Sequence, residues 1–529
     1  MWKCLRRWLV VNIRIATYFA GSSFVVVWTV IRQWTNGVNF DVVGQVGVVD
    51  QWSRGLHDGA QLGATNYLLK MPIYYAVNHI DILSPHLKLL ALALVFNVTT
   101  FVLLLLLFEK LLRLYGVRPN VYFYLAMIWL ASITGRVYWL DYANSRNLET
   151  VGGIWVLYLG CLLLRRVTWQ RALVLALAGG VVFFADQLQI YVIGGGLGLY
   201  AFLRLCKVRN RHRIIQMVAI LSGLAGAVIL DKLLHFAVIS WLPVSFLAAP
   251  RPKTTGSLWH TGIETLHGMA VSTGRIFDAS FYTPGSAPNT LREILNVVIL
   301  LCVVAGIYYT WRKTRGQARS LGILCLCGIL MTYAAYAASF QALQPATERY
   351  IVMVPLLLIL LFGSVTPAIQ KRFTGHMALL WATVLGVSAV LSLGALVVSL
   401  PVRYNKDTRL TNALVFMKQN DFTLAISSRD GIPETYFAQG TATVLPTICQ
   451  TDHRLVESNL FFDRAAFKEL NTYHGLVPLI VPTDGITSSA STCSVQEIQN
   501  QFGPPLKQLD VPGVGVAEVY QPDTLRLHE

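Results

Sequence analysis

Long apolar runs recur along the first 400 residues of this sequence, and no other feature constrains the fold as much. A helix needs about 20 apolar residues to cross a bilayer, so these runs predict a mostly α-helical, polytopic membrane protein with about 11 transmembrane helices. The fifth and sixth runs are short and nearly adjacent, and they could instead form one re-entrant pair. The runs lie at 13–31, 86–108, 119–134, 149–164, 172–186, 188–203, 214–231, 293–310, 320–340, 350–367 and 377–400.

The composition agrees with this prediction. Hydrophobic residues make up 54% of the chain and charged residues only 13%, which is about half of the charged share of a typical soluble domain. These values exclude a soluble enzyme, a disordered chain and a fibrous repeat.

Basic residues are distributed unevenly. Residues 1–400 hold 33 Lys and Arg against 13 Asp and Glu, whereas residues 401–529 hold 10 against 14. Lys and Arg recur in every second loop, as they do in cytoplasmic loops, so we expect a cytoplasmic N-terminus and an outer C-terminus. The first run then acts as an uncleaved signal anchor. Nucleic-acid binding would need a basic face interleaved with aromatic residues on a soluble domain, and the sequence shows none.

Three segments on the predicted outer side are long, namely 32–85, 242–292 and the tail 401–529. Three long segments on one side of the membrane are typical of an enzyme that works on the outer leaflet and are rare in a transporter. The tail alternates helix-like and strand-like stretches, which predicts an extracytoplasmic α/β domain after a transmembrane domain spanning 1–400. The helix-like stretches are 411–418, 464–470 and 495–502, and the strand-like ones are 423–427, 477–481 and 514–520.

Cys449 and Cys493 are the only cysteines of the tail. Because an outer compartment is oxidising, we expect them to form a disulfide. Two free, buried thiols are the alternative.

The first outer segment carries the polar residues best suited to chemistry. The stretch 41–54 predicts an amphipathic helix in the membrane interface, ended by Gly55. Tyr67 and Lys70 follow, and a lysine beside a tyrosine at the entry to a membrane region suits a lipid phosphate. Asp41 could instead cap the helix, and Lys70 could be a snorkelling anchor.

A second carboxylate, Asp141, lies in the next predicted outer loop. Two acids and a lysine on one membrane face suit group transfer, because a carboxylate can act as a general base while cations neutralise a leaving phosphate. Asp141 could instead pair with Arg136 or Arg146. Asp50, in the middle of the predicted helix, could be catalytic or merely solvated.

The segment 242–292 holds further candidates. Arg275 could assist phosphate binding. His260, Glu264 and His267 are spaced to share one helix face, where they could bind a metal, although a polar outer face explains them as well. We expect no cofactor, and a divalent metal is possible but not indicated.

The pattern of these residues resembles the GT-C membrane glycosyltransferases, most of all the branch with protein O-mannosyltransferases and bacterial lipid A aminoarabinose transferases. Val42 stands where that branch usually has Glu, and Met71 is an insertion before the proline, so the substrate pockets can differ. The topology match covers residues 1–400, and the motifs cover a small part of them. The matching residues are Asp41, Gly55, Tyr67, Lys70, Pro72, Leu140, Asp141, Arg349, Tyr350 and Pro355.

The resemblance implies an inverting glycosyltransferase that uses a polyprenyl-phosphate sugar as donor. The acceptor would be a lipid, a glycan or a protein at the outer face of a bacterial or archaeal inner membrane. Asp41 would be the base or would orient the acceptor, Lys70 would hold the donor phosphate, and Asp141 would support the acceptor or the donor sugar. Arg349 and Tyr350 would contact the donor, although Arg349 could instead be an ordinary membrane-end anchor or bridge to Glu348.

Two other functions compete with this one. A lipid-linked sugar flippase or transporter favours charges at mid-membrane depth and internal repeats. The predicted spans hold few central charges, and no repeat is evident. A structural scaffold whose tail binds a partner would lose no activity when Asp41, Lys70 and Asp141 are replaced by alanine.

Overall fold

A computed structural model gives the fold. Within some helices it describes the backbone alone, at residues 2–11, 32–35, 40–43, 45, 258–259, 287–289, 341, 348–349, 372, 375–379, 393 and 395–398. The residues that it describes are 2–35, 40–53, 55, 59–62, 68–80, 82–133, 146–207, 210–242, 244–246, 258–279, 287–339, 341–343, 348–372, 375–398, 411–428, 437–438, 442–450, 452–458, 462, 464–482 and 493–527.

The chain forms two compact units, which we describe separately. The helical unit comprises Met1–Arg32, Ala93–His235 and Ala249–Val398. The mixed unit comprises Gln33–Leu92, Phe236–Ala248 and Ser399–Glu529. The domain boundary at residue 400 stays a prediction.

Helices account for most of the chain before residue 400. They are α1 (Trp2–Thr35), α2 (Phe40–Ser53), α3 (Met71–Asn78), α4 (Pro85–Leu114), α5 (Val121–Ile133), α6 (Asn147–Arg165), α7 (Trp169–Ala185), α8 (Gly195–Lys207), α9 (Arg211–Trp241), α10 (Leu258–Ile276), α11 (Ala287–Trp311), α12 (Gly316–Ala338), α13 (Met353–Arg372) and α14 (Gly375–Val398). Each predicted apolar run overlaps one of these helices, whereas α2, α3 and α10 lie outside the predicted runs.

Eight helices among the described residues are long and apolar enough to cross a membrane, which confirms a multi-pass membrane protein. Three further apolar helices are shorter: Val121–Ile133, Trp169–Ala185 and Leu380–Ser392. The count of 11 spans therefore stays a prediction. A π-helical turn, Ile190–Gly194, leads directly into α8.

The core of the helical unit is built around α13, which packs against α5, α11 and α12. The span Met353–Lys371 is the most buried of the eight, and Thr290–Trp311 is the least. Leu301 and Tyr308 of the latter helix are exposed. Exposed apolar side chains along a spanning helix are what contact with lipid requires.

Helix α10 approaches its neighbour through a glycine. It packs against the 3-10 turns Gln341–Leu343 and Glu348–Ile351. A Cβ atom added at Gly268 would overlap the carbonyl oxygen of Ala342. A backbone atom cannot rotate away as a side chain can, so only glycine fits there.

We therefore expect Gly268→Ala to lower stability by roughly 1–3 kcal/mol, the usual cost of overpacking. Gly262→Ala is the matched control, since it lies on the same helix with no atom within 4 Å of the added Cβ. There, alanine should stabilise the helix by up to about 1 kcal/mol. Thermal unfolding in detergent measures both changes, and equal shifts for the two variants would contradict the close approach.

The described residues of the mixed unit form two sheets. Strands β1 (Ala60–Leu62) and β2 (Val244–Phe246) pair in parallel. The second sheet has the order β5-β4-β3-β6-β8-β7, in which β3 runs parallel to both β4 and β6. Its strands are β3 (Leu424–Ser427), β4 (Thr443–Cys449), β5 (Leu455–Glu457), β6 (Val477–Pro482), β7 (Lys507–Val511) and β8 (Gly515–Tyr520).

Helices accompany the larger sheet: α15 (411–419), α16 (Lys468–Thr472) and α17 (Val495–Phe502). Ala425 and Ile426 are neighbours on the central strand β3. The Ile426 side chain packs in one hydrophobic core with α17, whereas the Ala425 side chain packs in another with α15. The sheet is thus buried on both faces, as α/β domains require. The six predicted tail elements are present, and β4, β5 and β7 were not predicted.

Cys449 and Cys493 form a disulfide across a sequence separation of 44 residues. This confirms the predicted bond and joins the end of β4 to the residue before the N-cap of α17. Ser494 and Glu497 complete a capping box at that helix.

Glu497 should make the stability of α17 depend on pH. Hydrogen bonds from the backbone and hydroxyl groups of Ser494, with His453 nearby, hold the pKa of Glu497 below its ordinary value. A lowered pKa means that the stabilisation is present above the ordinary value and lost as the pH falls through the folded pKa. We expect amide exchange in α17 to accelerate in acid, and Glu497→Gln to flatten this dependence. An unchanged profile in the variant would contradict the role of Glu497.

Candidate functional site

The first candidate site is formed by α2 and α3 of the mixed unit. Helix α2 begins at Phe40, so Asp41 lies in its first turn, although the Asp41 side chain is outside the described part. Val46, Val48, Val49 and Gln51 point in different directions around the helix and are all buried. Helix α2 is therefore covered on more than one face and lacks the single buried face that the predicted amphipathic helix would have.

The end of α2 follows the sequence prediction. The helix ends at Ser53, and Gly55 adopts a φ of 84° while its N–H donates to the carbonyl of Trp52 at 3.0 Å. A left-handed residue just beyond a helix is most often glycine, since it lacks a Cβ.

Lys70 lies where the chain enters α3. It ends the 3-10 turn Leu68–Lys70, and Pro72 follows in the first turn of the helix. Its side chain is fully buried (0% exposed) and takes part in at least one polar or electrostatic contact. A snorkelling lysine keeps its ammonium in water, so this burial does not fit the anchor alternative.

Hydrogen bonds link α3 to α2 and to α4. The Asn78 amide donates to the carbonyl of Val46 at 3.2 Å, and Lys88 Nζ donates to the carbonyl of Asn78 at 2.6 Å. The β1–β2 pair adds a small core of Val48, Ala60, Leu62 and Val244 beneath them.

An apolar cavity of about 530 Å³ opens between these elements. Leu68 and Met71, on either side of Lys70, contribute to its wall. The size falls in the range of small-ligand sites, and the lining suits a hydrocarbon chain. The remaining lining residues are Val49, Trp52, Ser53, Pro72, Tyr75, Val238 and Leu242.

A buried charged cluster lies in the helical unit. Arg146, just before α6, donates from Nη1 to both carboxylate oxygens of Asp186 at 3.0 Å. Asp186 also accepts from the Gln189 amide at 3.1 Å. The guanidinium carbon of Arg146 lies 5.2 Å from the centre of the Tyr350 ring. The pair is almost wholly buried.

This pair was missed at the sequence level, where Arg146 appeared only as an alternative partner of Asp141. Asp186 interrupts an apolar stretch, and an ionisable residue beside membrane spans is a signal of function. The cluster holds the Tyr350 ring beside the guanidinium group of Arg146. Because Arg146 and Asp186 bond to each other, a ligand can contact only those atoms of the cluster that this pairing leaves accessible.

Arg146→Met should destabilise the helical unit by about 3–5 kcal/mol, because it leaves the Asp186 carboxylate buried without its cation. Arg146→Met combined with Asp186→Leu should recover most of that loss, since an apolar pair leaves no buried charge. Thermal unfolding in detergent compares the three proteins. Additive losses in the double variant would show that the two residues are not coupled.

The other predicted site residues have varied placements. Tyr67 and Asp141 lie outside the described residues, and only the backbone of Arg349 is described, in the turn Glu348–Ile351. Arg275 lies in the last turn of α10, and Asp50 is half-buried in α2. The mixed unit contains Asp41, Asp50, Tyr67 and Lys70, as well as Cys449 and Cys493, and the helical unit contains Asp141, Arg275, Arg349 and Tyr350.

His260, Glu264 and His267 do not converge into a metal-ligand group. His260 Nε2 and Glu264 Oε1 are 3.1 Å apart on the exposed face of α10. Within the described ranges, the one group of three such side chains is Cys449, Cys493 and Glu497, and its sulfur atoms are bonded to each other.

The chain matches no family model, and no curated protein sequence matches it significantly.

Proposed function

We propose that this protein is an inverting membrane glycosyltransferase that takes a sugar from a polyprenyl-phosphate donor. The observation that supports this most is the apolar cavity whose wall includes Leu68 and Met71, two residues before and one residue after the buried Lys70. An isoprenoid chain needs apolar walls, whereas the phosphate at its end needs a cation. Within residues 68–71, Leu68 and Met71 provide apolar wall and Lys70 provides the cation.

In the proposed reaction, Asp41 removes a proton from an acceptor hydroxyl or amine. The freed electron pair attacks the anomeric carbon, and the bond from that carbon to the phosphate oxygen breaks with inversion. Lys70 stabilises the charge that develops on the leaving polyprenyl phosphate. Tyr67 assists at the phosphate, and Asp141 supports a substrate sugar. No metal is required, because only one phosphate has to be neutralised.

We also propose an inner-membrane location, bacterial or archaeal, with 11 spans, a cytoplasmic N-terminus and an outer tail. Under this orientation the Arg146–Asp186 pair lies at the outer ends of its helices. Under the same orientation, Arg275, Arg349 and Tyr350 of the helical unit also lie on the outer side of the membrane. The acceptor is a lipid, a glycan or a protein of the outer face.

Membranes that contain the wild-type protein test this function. Polyprenyl-phosphate sugars, each labelled in the sugar, are offered in turn with cell-envelope extract as acceptor, and vector membranes serve as the control. We expect one donor to lose its label to an acceptor, with free polyprenyl phosphate released in equal amount. Movement of an intact labelled donor across the bilayer without transfer would instead indicate a flippase.

A further inference from the structure

The C-terminal sheet carries a polar cleft that the proposed transfer site does not use. Its volume is about 860 Å³. The walls come from the turn after β4, the strand β5, the helix α17 and the segment after β8. Gln450, Asn500 and Phe502 lie along it, together with Arg454 and Arg526.

Covalent and polar links hold the walls of the cleft in place. The disulfide fixes the end of β4 beside the start of α17. Gln501 of α17 accepts from the N–H of Leu455 at 2.7 Å and donates to its carbonyl at 3.0 Å. The His453 Nδ1 and Glu497 Oε1 atoms are in contact between the same two walls. A cleft fixed in this way loses little conformational entropy when it binds a ligand.

The lining has almost balanced charge, with three carboxylates, two guanidinium groups and one imidazole. A phosphate-rich ligand or a nucleic acid would need an excess of cations. An amphipathic peptide helix would need an apolar groove. Neither condition is met.

The same side chains suit a carbohydrate. A sugar presents hydroxyl groups that both donate and accept hydrogen bonds. Carboxylates accept such bonds, guanidinium groups donate them, and amides do both. Gln450 and Asn500 supply exposed amides. Phe502 supplies a ring on which the apolar face of a sugar can lie.

We propose that this cleft binds a neutral oligosaccharide, and that this oligosaccharide is part of the acceptor. The binding stands on the cleft alone, whereas its acceptor role rests on the proposed glycosyl transfer. The tail then holds the glycan while a different part of the protein performs the chemistry.

The test uses the full-length protein in nanodiscs on an array of immobilised oligosaccharides. We expect neutral glycans to be retained, and Gln450→Ala combined with Asn500→Ala to weaken retention on the order of tenfold. Gln508→Ala is the matched control, an exposed amide on β7 at the opposite edge of the sheet. It should bind as the wild type does.

Several outcomes would overturn the proposal. These are no retention of any neutral glycan, equal retention by the double variant, and retention limited to anionic glycans that is lost in high salt. Melting temperatures of all variants show whether each protein is folded.

The acceptor role has its own readout. With the retained glycan as acceptor, the double variant should raise the KM for acceptor about tenfold and leave kcat unchanged. If the glycan binds but receives no sugar from any donor, the transfer proposal fails and the binding site stands. If transfer occurs to this glycan with an unchanged KM in the variant, the acceptor role fails.

Discussion

Lys70→Met should lower sugar transfer, as kcat/KM for the donor, by about 10²- to 10³-fold, as loss of one charge-stabilising donor does in other active sites. Methionine keeps the length and volume of the side chain and removes the ammonium. Lys70 is fully buried and lies in sequence between Leu68 and Met71, which line the cavity, so solvent cations have no access to its position. Initial rates over a range of donor concentrations measure the effect.

Lys88→Met is the matched control for this variant. Lys88 belongs to the same unit and bonds to the last residue of α3, whereas Lys70 precedes the first. Its loss removes one hydrogen bond, worth about 0.5–1.5 kcal/mol of stability, and should leave transfer unchanged. Equal loss of transfer in both variants would mean that α3 had merely been displaced.

Asp41→Asn should lower kcat by about 10²- to 10⁴-fold, because an amide cannot accept the proton of the acceptor. The KM for the donor should change little, since in this account Asp41 does not contact the donor phosphate. Single-turnover transfer in membranes with matched protein levels separates the two parameters.

Asp50→Asn is the comparison for Asp41, because both residues lie on α2. Asp50 is half-buried in the second half of the helix. Transfer should survive this change. Loss of transfer in Asp50→Asn alone would move the general base from the start of the helix to its second half.

The sequence predicted local structure well where one physical property dominates. Hydrophobic length located the helices, because a bilayer-spanning helix cannot be short or polar. The glycine after α2 followed from the chemistry of helix ends, and the helix of residues 495–502 followed from the helix-like pattern of that stretch. The disulfide followed from compartment and cysteine count.

Three features depend on tertiary packing and were not predictable from local pattern. Arg146 and Asp186 are 40 residues apart, and nothing local indicates that they meet. Helix α2 has valines in several directions, but only its neighbours determine that it is buried. Strand β4 contains Pro446, which normally argues against a strand inside a sheet. It lies where pairing with β3 ends and pairing with β5 begins.

Photo-crosslinking tests the central claim, that a polyprenyl phosphate occupies the cavity beside Lys70. The probe is a polyprenyl phosphate with a diazirine in its isoprenoid chain, added to the full-length protein in nanodiscs. Mass spectrometry should locate the adducts at cavity residues such as Trp52, Met71 and Tyr75. Unlabelled polyprenyl phosphate should compete, and Lys70→Met should reduce the yield. Adducts confined to other parts of the chain, or a yield unaffected by Lys70→Met, would contradict the account.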